Sequence, residues 1–244
     1  MFPIRDHNPS TRTPYVTIAL VLANIAVFLL TWPFLSGDAA LYRIYTDWAM
    51  IPAEITAGQG WITLISSQFL HAGWMHLGGN MLFLWVFGDN LEDELGHFGF
   101  LGFYLACGVG AAAAQILADP ASGIPTVGAS GAIAGVLGGY LLMFPKARID
   151  VLFIFIIFFR IFPIPAWVTL GFWFALQVFN GAYTDVSGGG VAYWAHAGGF
   201  VIGLGLMIPF WLRRGGTGYW NRTHGTPPHP EAKYAKSSIP AVRR

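Results

Sequence analysis

Residues 15–34 read YVTIALVLANIAVFLLTWPF, and this stretch decides the fold class of the chain. An α-helix needs about 20 apolar residues to cross a hydrocarbon core roughly 30 Å thick, and the stretch has that length. Its odd and even positions are equally apolar, whereas a strand of a membrane β-barrel alternates apolar with polar residues over about ten positions. Residues 15–34 therefore predict a membrane-spanning helix.

The composition extends this prediction to the whole chain. The 244 residues are 55% apolar and only 10% charged, whereas an ordinary soluble domain has about 25% charged residues. We therefore expect an all-α membrane protein with a six-helix transmembrane bundle. The predicted spans are about Tyr15 to Phe34, Ala72 to Gly88, Phe98 to Leu117, Ser130 to Phe144, a fifth that follows Pro165 and ends near Phe179, and Val191 to Leu212.

Two connecting segments are predicted to lie in the membrane interface. The long first loop, between the first span and about residue 72, carries Trp48, Trp61 and Trp74 among prolines and glycines. Tryptophan is enriched where hydrocarbon meets water, so this loop is expected to stay at the interface. The apolar stretch Val151 to Phe159 is expected to skim the interface as well.

The placement of charged residues predicts three regions of the chain and the orientation of the chain across the membrane. Residues 1–14 are a predicted cytoplasmic segment, residues 15–212 the membrane domain, and residues 213–244 a polar, basic cytoplasmic tail with the composition of a flexible segment. With both termini inside, only Arg43 and Arg160 of the 13 Lys and Arg residues fall outside the cytoplasmic segments. The first residues lack the pattern of a signal or transit peptide, which favours a bacterial inner membrane.

Composition also excludes some partners and cofactors. A net charge of +1 gives no basis for nucleic-acid binding, which needs clustered basic residues. The single cysteine, Cys107, allows neither an intrachain disulfide nor a Cys-rich metal site. We expect no metal and no cofactor, and the partner that the composition predicts is the lipid bilayer.

Ser130 is the first candidate for chemistry, within Gly128-Ala129-Ser130-Gly131. It opens a short predicted helix after a Pro- and Gly-rich loop, where free backbone amides can stabilise a developing negative charge. A span of about 22 Å at 1.5 Å per residue is too short to cross the membrane, so Ser130 is expected at partial depth, beside a cavity. The alternative is a helix cap, with Gly131 serving helix packing.

His196 is the second candidate, because a histidine at membrane depth is costly to place and is a functional candidate by default. Ala195, Gly199 and Gly203 form a stripe of small residues on the same predicted helix. Two Gly-lined helices that pack closely could bring the imidazole within hydrogen-bond reach of Ser130. A hydrogen-bonded packing residue is the alternative for His196 taken alone.

His76 and Asn80 are four residues apart and so share one face of a predicted helix. Together they could donate hydrogen bonds to one point, as in an oxyanion hole. They could instead satisfy each other or a loop carbonyl.

These motifs, in this order, resemble the signatures of the rhomboid intramembrane serine proteases. They are His76-x-x-x-Asn80, Gly88-x-x-x-Glu92-x-x-x-Gly96, Gly128-Ala129-Ser130-Gly131 and Ala195-His196-x-x-Gly199-x-x-x-Gly203. The resemblance implies a Ser130–His196 dyad that cleaves transmembrane protein substrates. It also implies an oxyanion hole from the Ser130 amide, His76 and Asn80.

The resemblance implies supporting roles as well, with two departures from the family pattern. Glu92 would be structural and bond within the first loop, and the fifth helix with the loop near Gly188 would act as gate and cap over the site. Ile62 follows Trp61 where the family often has arginine, so the loop would depend on apolar anchoring by its tryptophans. Ala134 stands where many members have a tyrosine that stacks near the histidine, so other contacts must orient His196.

Rival functions lack their motifs. No His-Glu-x-x-His helix for zinc is present, and Gly88-Asp89 lacks the preceding glycine of the intramembrane aspartyl proteases. A channel or transporter would need more polar residues within its spans. A catalytically silent rhomboid-like binding or quality-control protein stays open as the alternative.

Overall fold

The computed structural model describes residues 2–34, 38–155, 158–184, 189–228 and 230–232. Within them the chain is mostly helical. The six longest helices are α1 (Tyr15–Thr31), α5 (Trp74–Leu95), α6 (His97–Ala118), α7 (Ser130–Met143), α8 (Ala166–Tyr183) and α9 (Tyr193–Arg213). Among the described residues, three segments are long and apolar enough to cross a membrane, namely Tyr15–Phe34, His97–Ala118 and Tyr193–Arg213. The fold is therefore that of a multi-pass membrane protein.

Short helices occupy the segment between α1 and α5. They are α2 (Asp38–Trp48), α3 (Pro52–Thr56) and α4 (Thr63–Ser66), with 3₁₀ turns at Trp32–Phe34 and Ser67–Phe69. Met50 and Thr126 exchange two backbone hydrogen bonds, of 3.1 and 2.8 Å. This segment is thereby tied to the loop that precedes α7.

Helix α5 runs to Leu95, about two turns beyond the predicted end near Gly88. The added turns contain acidic residues, of which Glu92 is 2% exposed and accepts hydrogen bonds from the first residues of α1. A buried carboxylate needs such partners, so its presence does not mark a boundary here.

The all-α prediction was wrong in one respect, because the structure contains a three-stranded antiparallel sheet. Strand β1 (Phe2–Asp6) pairs with β2 (Arg148–Phe155), which pairs with β3 (Phe158–Pro165). The stretch expected to skim the interface therefore forms most of β2 and the first residues of β3. Its uniformly apolar sequence hid the strands, and the pairing with β1 joins residues more than 140 positions apart.

The C-terminal segment packs back onto the membrane domain as far as it is described. Helix α10 (Thr217–Thr223) places Trp220, whose indole N–H donates to the Leu142 carbonyl over 2.9 Å. Further on, the Ala232 amide donates to the His7 carbonyl over 3.1 Å. The end of the expected flexible tail, residues 233–244, lies outside the described residues.

Helix α7 lies at the centre of the bundle, with every residue from Gly131 to Tyr140 buried. Glycines let α9 approach it backbone to backbone. A Cβ atom placed on Gly199 would overlap the carbonyl oxygen of Gly131, and one on Gly203 would overlap the carbonyl oxygen of Gly135. Close helix approach of this kind is what small residues permit in membrane proteins.

Candidate active site

Ser130 is the first residue of α7 and follows a tightly held loop. The Gly128 amide donates to the Ser67 carbonyl over 2.9 Å, and Gly128 has a φ of 124°, which favours glycine. Backbone amides in the first turn of a helix have no carbonyl partner within the helix. The Ser130 side chain therefore lies beside free backbone donors.

His196 lies on α9 and contacts Ser130 directly. Its Nε2 atom is 2.7 Å from the Ser130 hydroxyl oxygen, which is hydrogen-bond distance. The two residues are 66 positions apart in the chain and meet because α7 and α9 pack through their glycines. A hydroxyl and an imidazole so placed have the geometry of a nucleophile and its general base.

Sequence reasoning missed the residue on the other side of the imidazole. The Nδ1 atom of His196 is 2.9 Å from the side-chain oxygen of Gln177, on α8. The Trp173 ring, one turn earlier on α8, lies 5.9 Å from the imidazole at an interplanar angle of 31°. The sequence did offer one signal for this residue, because Gln177 is a polar residue within an otherwise apolar predicted helix. These contacts orient His196 in place of the tyrosine ring that many family members have at the position of Ala134.

His76 and Asn80 face the same place from α5. A Cβ atom on Gly128 would lie 2.6 Å from the His76 Nε2 atom and 3.6 Å from the Asn80 Nδ2 atom. The Asn80 Nδ2 atom is buried without a hydrogen-bond partner among the described residues. The His76 Nδ1 atom accepts a long contact, 3.5 Å, from the Ala72 amide, which favours a hydrogen on Nε2. Two unused donors thus lie beside the Ser130 loop.

Glu92 supports the start of α1, not the first loop as the resemblance implied. Its two carboxylate oxygens accept the backbone amides of Val16 and Thr17 over 2.8 and 2.7 Å. It also accepts the Thr17 hydroxyl over 2.8 Å. The first amides of a helix lack partners, so a buried carboxylate there caps the helix and complements its dipole.

The other expected supporting residues fall into two groups. Gly131, Gly199 and Gly203 lie at the contact between α7 and α9, and a Cβ on Gly131 would lie 2.6 Å from that of Ala111. Trp61, by contrast, is exposed, as is Ile62, and the Trp61 indole donates to the Gly58 carbonyl over 3.1 Å. The structure therefore places Trp61 on the surface of the protein.

A cavity of about 1060 Å³ connects these residues. Its walls include Ser130, His196, His76 and Asn80, together with parts of α6 and the segment before α9. Among the described residues, no group of three or more His, Cys, Asp or Glu side chains could hold a metal ion.

The fold and the site define a helical membrane protein with a serine–histidine pair beside a partly open cavity. Residues 58–213 match the family described as Rhomboid domain, so this chain belongs to the rhomboid family. The match confirms the resemblance inferred from the motifs.

Several curated proteins are similar to the chain. Rhomboid protein 1, mitochondrial, of Saccharomyces cerevisiae is 34% identical over 205 residues, which are 80% of this chain and 53% of that protein. Rhomboid-like protein 11, chloroplastic, of Arabidopsis thaliana is 35% identical over 118 residues, 48% of this chain and 38% of that protein. The human presenilin-associated rhomboid-like protein, mitochondrial, is 30% identical over 137 residues, 55% of this chain and 34% of that protein. The chain thus spans about half the length of these relatives or less.

Proposed function

We propose that this protein is an intramembrane serine endopeptidase that hydrolyses peptide bonds in or near transmembrane segments of other membrane proteins. The observation that carries the proposal is the 2.7 Å contact between the Ser130 hydroxyl and His196 Nε2 beside a cavity in a membrane protein. Neither a cofactor nor a metal takes part in the proposed reaction.

The proposed mechanism is acyl transfer through a covalent intermediate. The Ser130 oxygen attacks the scissile carbonyl while His196 Nε2 takes the hydroxyl proton, which it then passes to the leaving amine. The carbonyl oxygen gains negative charge, which the Ser130 amide and the side chains of His76 and Asn80 stabilise. Water then repeats the attack on the acyl-enzyme and releases Ser130.

We propose six membrane spans, α1 and α5 to α9, in a membrane domain of residues 15–212, with both termini on the cytoplasmic side. The pairing of β1 with β2 supports the arrangement, because it brings the N-terminus to the connection between α7 and α8. Ser130 opens α7 at the opposite end of that helix, near the outer face. A bacterial inner membrane stays a prediction, since the relatives named above are mitochondrial and chloroplast proteins.

The test is cleavage of a transmembrane substrate by purified protein, combined with labelling by a fluorophosphonate probe. We expect the probe to label Ser130 and expect Ser130→Ala and His196→Ala each to abolish cleavage without loss of thermal stability. Members of one catalytic unit are non-additive, so the double variant should be no worse than either single one. Cleavage by Ser130→Ala at the parent rate would contradict the dyad. Absence of both labelling and cleavage in the parent protein would favour the catalytically silent alternative.

A further inference from the structure

Gln177 is a buried amide on a helix whose neighbouring side chains are apolar. It is 8% exposed, while Leu176, Val178 and Phe179 beside it on α8 are exposed large apolar residues. A polar side chain inside such a helix is costly unless its hydrogen bonds are satisfied. Both ends of the Gln177 amide have partners, and these partners determine what it can do.

The orientation of the Gln177 amide is set by its own helix. Its Nε2 atom lies 3.2 Å from the carbonyl oxygen of Trp173, one turn earlier. A carbonyl only accepts, so the amide nitrogen must face Trp173 and the amide oxygen must face His196.

The amide oxygen in turn determines the tautomer of His196. That oxygen only accepts, so the contact of 2.9 Å requires a hydrogen on His196 Nδ1. A neutral imidazole has one hydrogen, which leaves Nε2 as an acceptor facing the Ser130 hydroxyl at 2.7 Å. The other tautomer would place a hydrogen between Nε2 and the hydroxyl and would prevent proton transfer from Ser130.

We propose that Gln177 is a positioning residue: its side-chain oxygen holds the hydrogen of His196 on Nδ1 and so keeps Nε2 free to accept the Ser130 proton. The inference rests on the proposed protease function. An amide is suited to this role inside a membrane domain, because it supplies the acceptor without burying a charge. The orientation of the base thereby depends on α8, a helix that carries neither member of the dyad.

The kinetic test compares three variants of the full chain in one detergent. Gln177→Met keeps the length of the side chain and removes the acceptor. Since general base catalysis contributes about 10²–10⁴-fold, we expect kcat to fall about 100-fold with KM nearly unchanged. Gln177→Glu retains an acceptor oxygen and should restore most of the lost kcat. Leu176→Met, an exposed position on the same helix, is the control and should match the parent protein.

Two kinetic outcomes would overturn the role of Gln177. One is a parent-like kcat for Gln177→Met. The other is a fall in kcat that Gln177→Glu does not restore, as expected if Gln177 only stabilises α8. The proposed protease function is tested separately. It stands in either case if the parent protein cleaves its substrate and the Ser130→Ala variant does not.

The tautomer can also be observed without turnover. In protein labelled with ¹⁵N-histidine, the shifts of the two ring nitrogens show which one carries the hydrogen, and His196→Ala assigns the signals. We expect a hydrogen on Nδ1 in the parent protein and an increased Nε2–H population in Gln177→Met. A hydrogen on Nε2 in the parent protein, or no change in Gln177→Met, would contradict the inference even if the protein proved not to be a protease.

Discussion

At the scale of single residues, the buried amide of Asn80 has an unused donor beside the Ser130 loop. Donors aimed at the developing oxyanion act mainly in the transition state, so their loss appears in kcat. We expect Asn80→Ala to lower kcat by about 10²–10³-fold with nearly unchanged thermal stability. The Ser130 amide and His76 remain, so some activity should be detectable, and both quantities should be measured on one preparation.

Asn24 offers a matched control for Asn80. It is also buried, and its side-chain nitrogen donates to the Leu20 carbonyl over 2.7 Å within α1. Asn24→Ala should therefore reduce thermal stability and leave kcat near the parent value. If Asn80→Ala behaved in the same way, Asn80 would be a structural residue and would have no place in the oxyanion hole.

The candidate residues differ in how far the sequence could predict them. Ser130, His196, His76 and Asn80 stand in motifs with fixed spacing, and the structure brings all four to one cavity. Gln177 belongs to no such motif. The contact between Gln177 and His196 depends on how α8 is rotated about its axis against α9. An amphipathic pattern would predict that rotation, but lipid-facing helices are apolar on all sides and have no such pattern.

At the scale of secondary structure elements, the packing of α9 against α7 depends on Gly203. A Cβ there would overlap the Gly135 carbonyl, so α9 would have to shift and carry His196 with it. We expect Gly203→Ala to reduce the free energy of unfolding by about 1–3 kcal/mol and to lower kcat strongly.

Gly205 on the same helix is the control for Gly203. It is exposed, and a Cβ there would meet nothing within 4 Å. Alanine is the better helix former, so Gly205→Ala should leave activity unchanged and stability equal or slightly higher. Equal behaviour of the two alanine variants in thermal unfolding and cleavage would contradict the packing argument.

Strand β1 makes the stability of the protein depend on pH. Burial raises the pKa of the Asp6 carboxyl from 3.8 to about 8, although a hydrogen bond of 2.7 Å from the Tyr140 hydroxyl opposes the shift. Asp89 raises this pKa further, and the Asn8 backbone lowers it. Since the pKa is higher in the folded state, the stabilisation is complete at low pH and is lost as the pH rises through 8.

Thermal unfolding between pH 5 and pH 9 would measure this dependence. A single proton gives a slope of about 1.4 kcal/mol per pH unit, so stability should fall toward pH 8 and then level off. Asp6→Asn should flatten the curve, whereas Asp47→Asn, at an exposed position, should retain the parent slope. A parent-like slope in Asp6→Asn would assign the dependence to another group.

The sequence predicted the starts of two helices correctly but did not predict the sheet. The starts of α1 at Tyr15 and of α7 at Ser130 coincide with the predicted ones, because each follows a Pro- or Gly-containing segment. The sheet was missed because β2 has apolar residues on both faces and β1 is only five residues long. Strand pairing between distant segments leaves no periodic signal that distinguishes it from an interfacial segment.

At the scale of the whole molecule, the proposed orientation can be tested by the accessibility of introduced thiols. In a Cys107→Ala background, we expect Ser187→Cys, at a position outside the described residues, to react with an impermeant reagent from outside. Pro230→Cys, near the described end of the C-terminal segment, should react only after the membrane is opened. The reverse pattern of labelling would invert the topology and place the Ser130 end of α7 on the cytoplasmic side.

The dependence of the dyad on two separate helices has a consequence for biosynthesis. In the proposed topology, Ser130 enters the membrane with α7, but its partner is 66 residues further along the chain, on α9. Helices of membrane proteins insert first and associate afterwards, so the nucleophile lacks its base until α9 has been translated and docked. In the proposed mechanism, a nascent or truncated chain is therefore inert toward its neighbours in the insertion machinery. In the proposed function, the order of synthesis thus gives the protection that a removable propeptide gives many proteases.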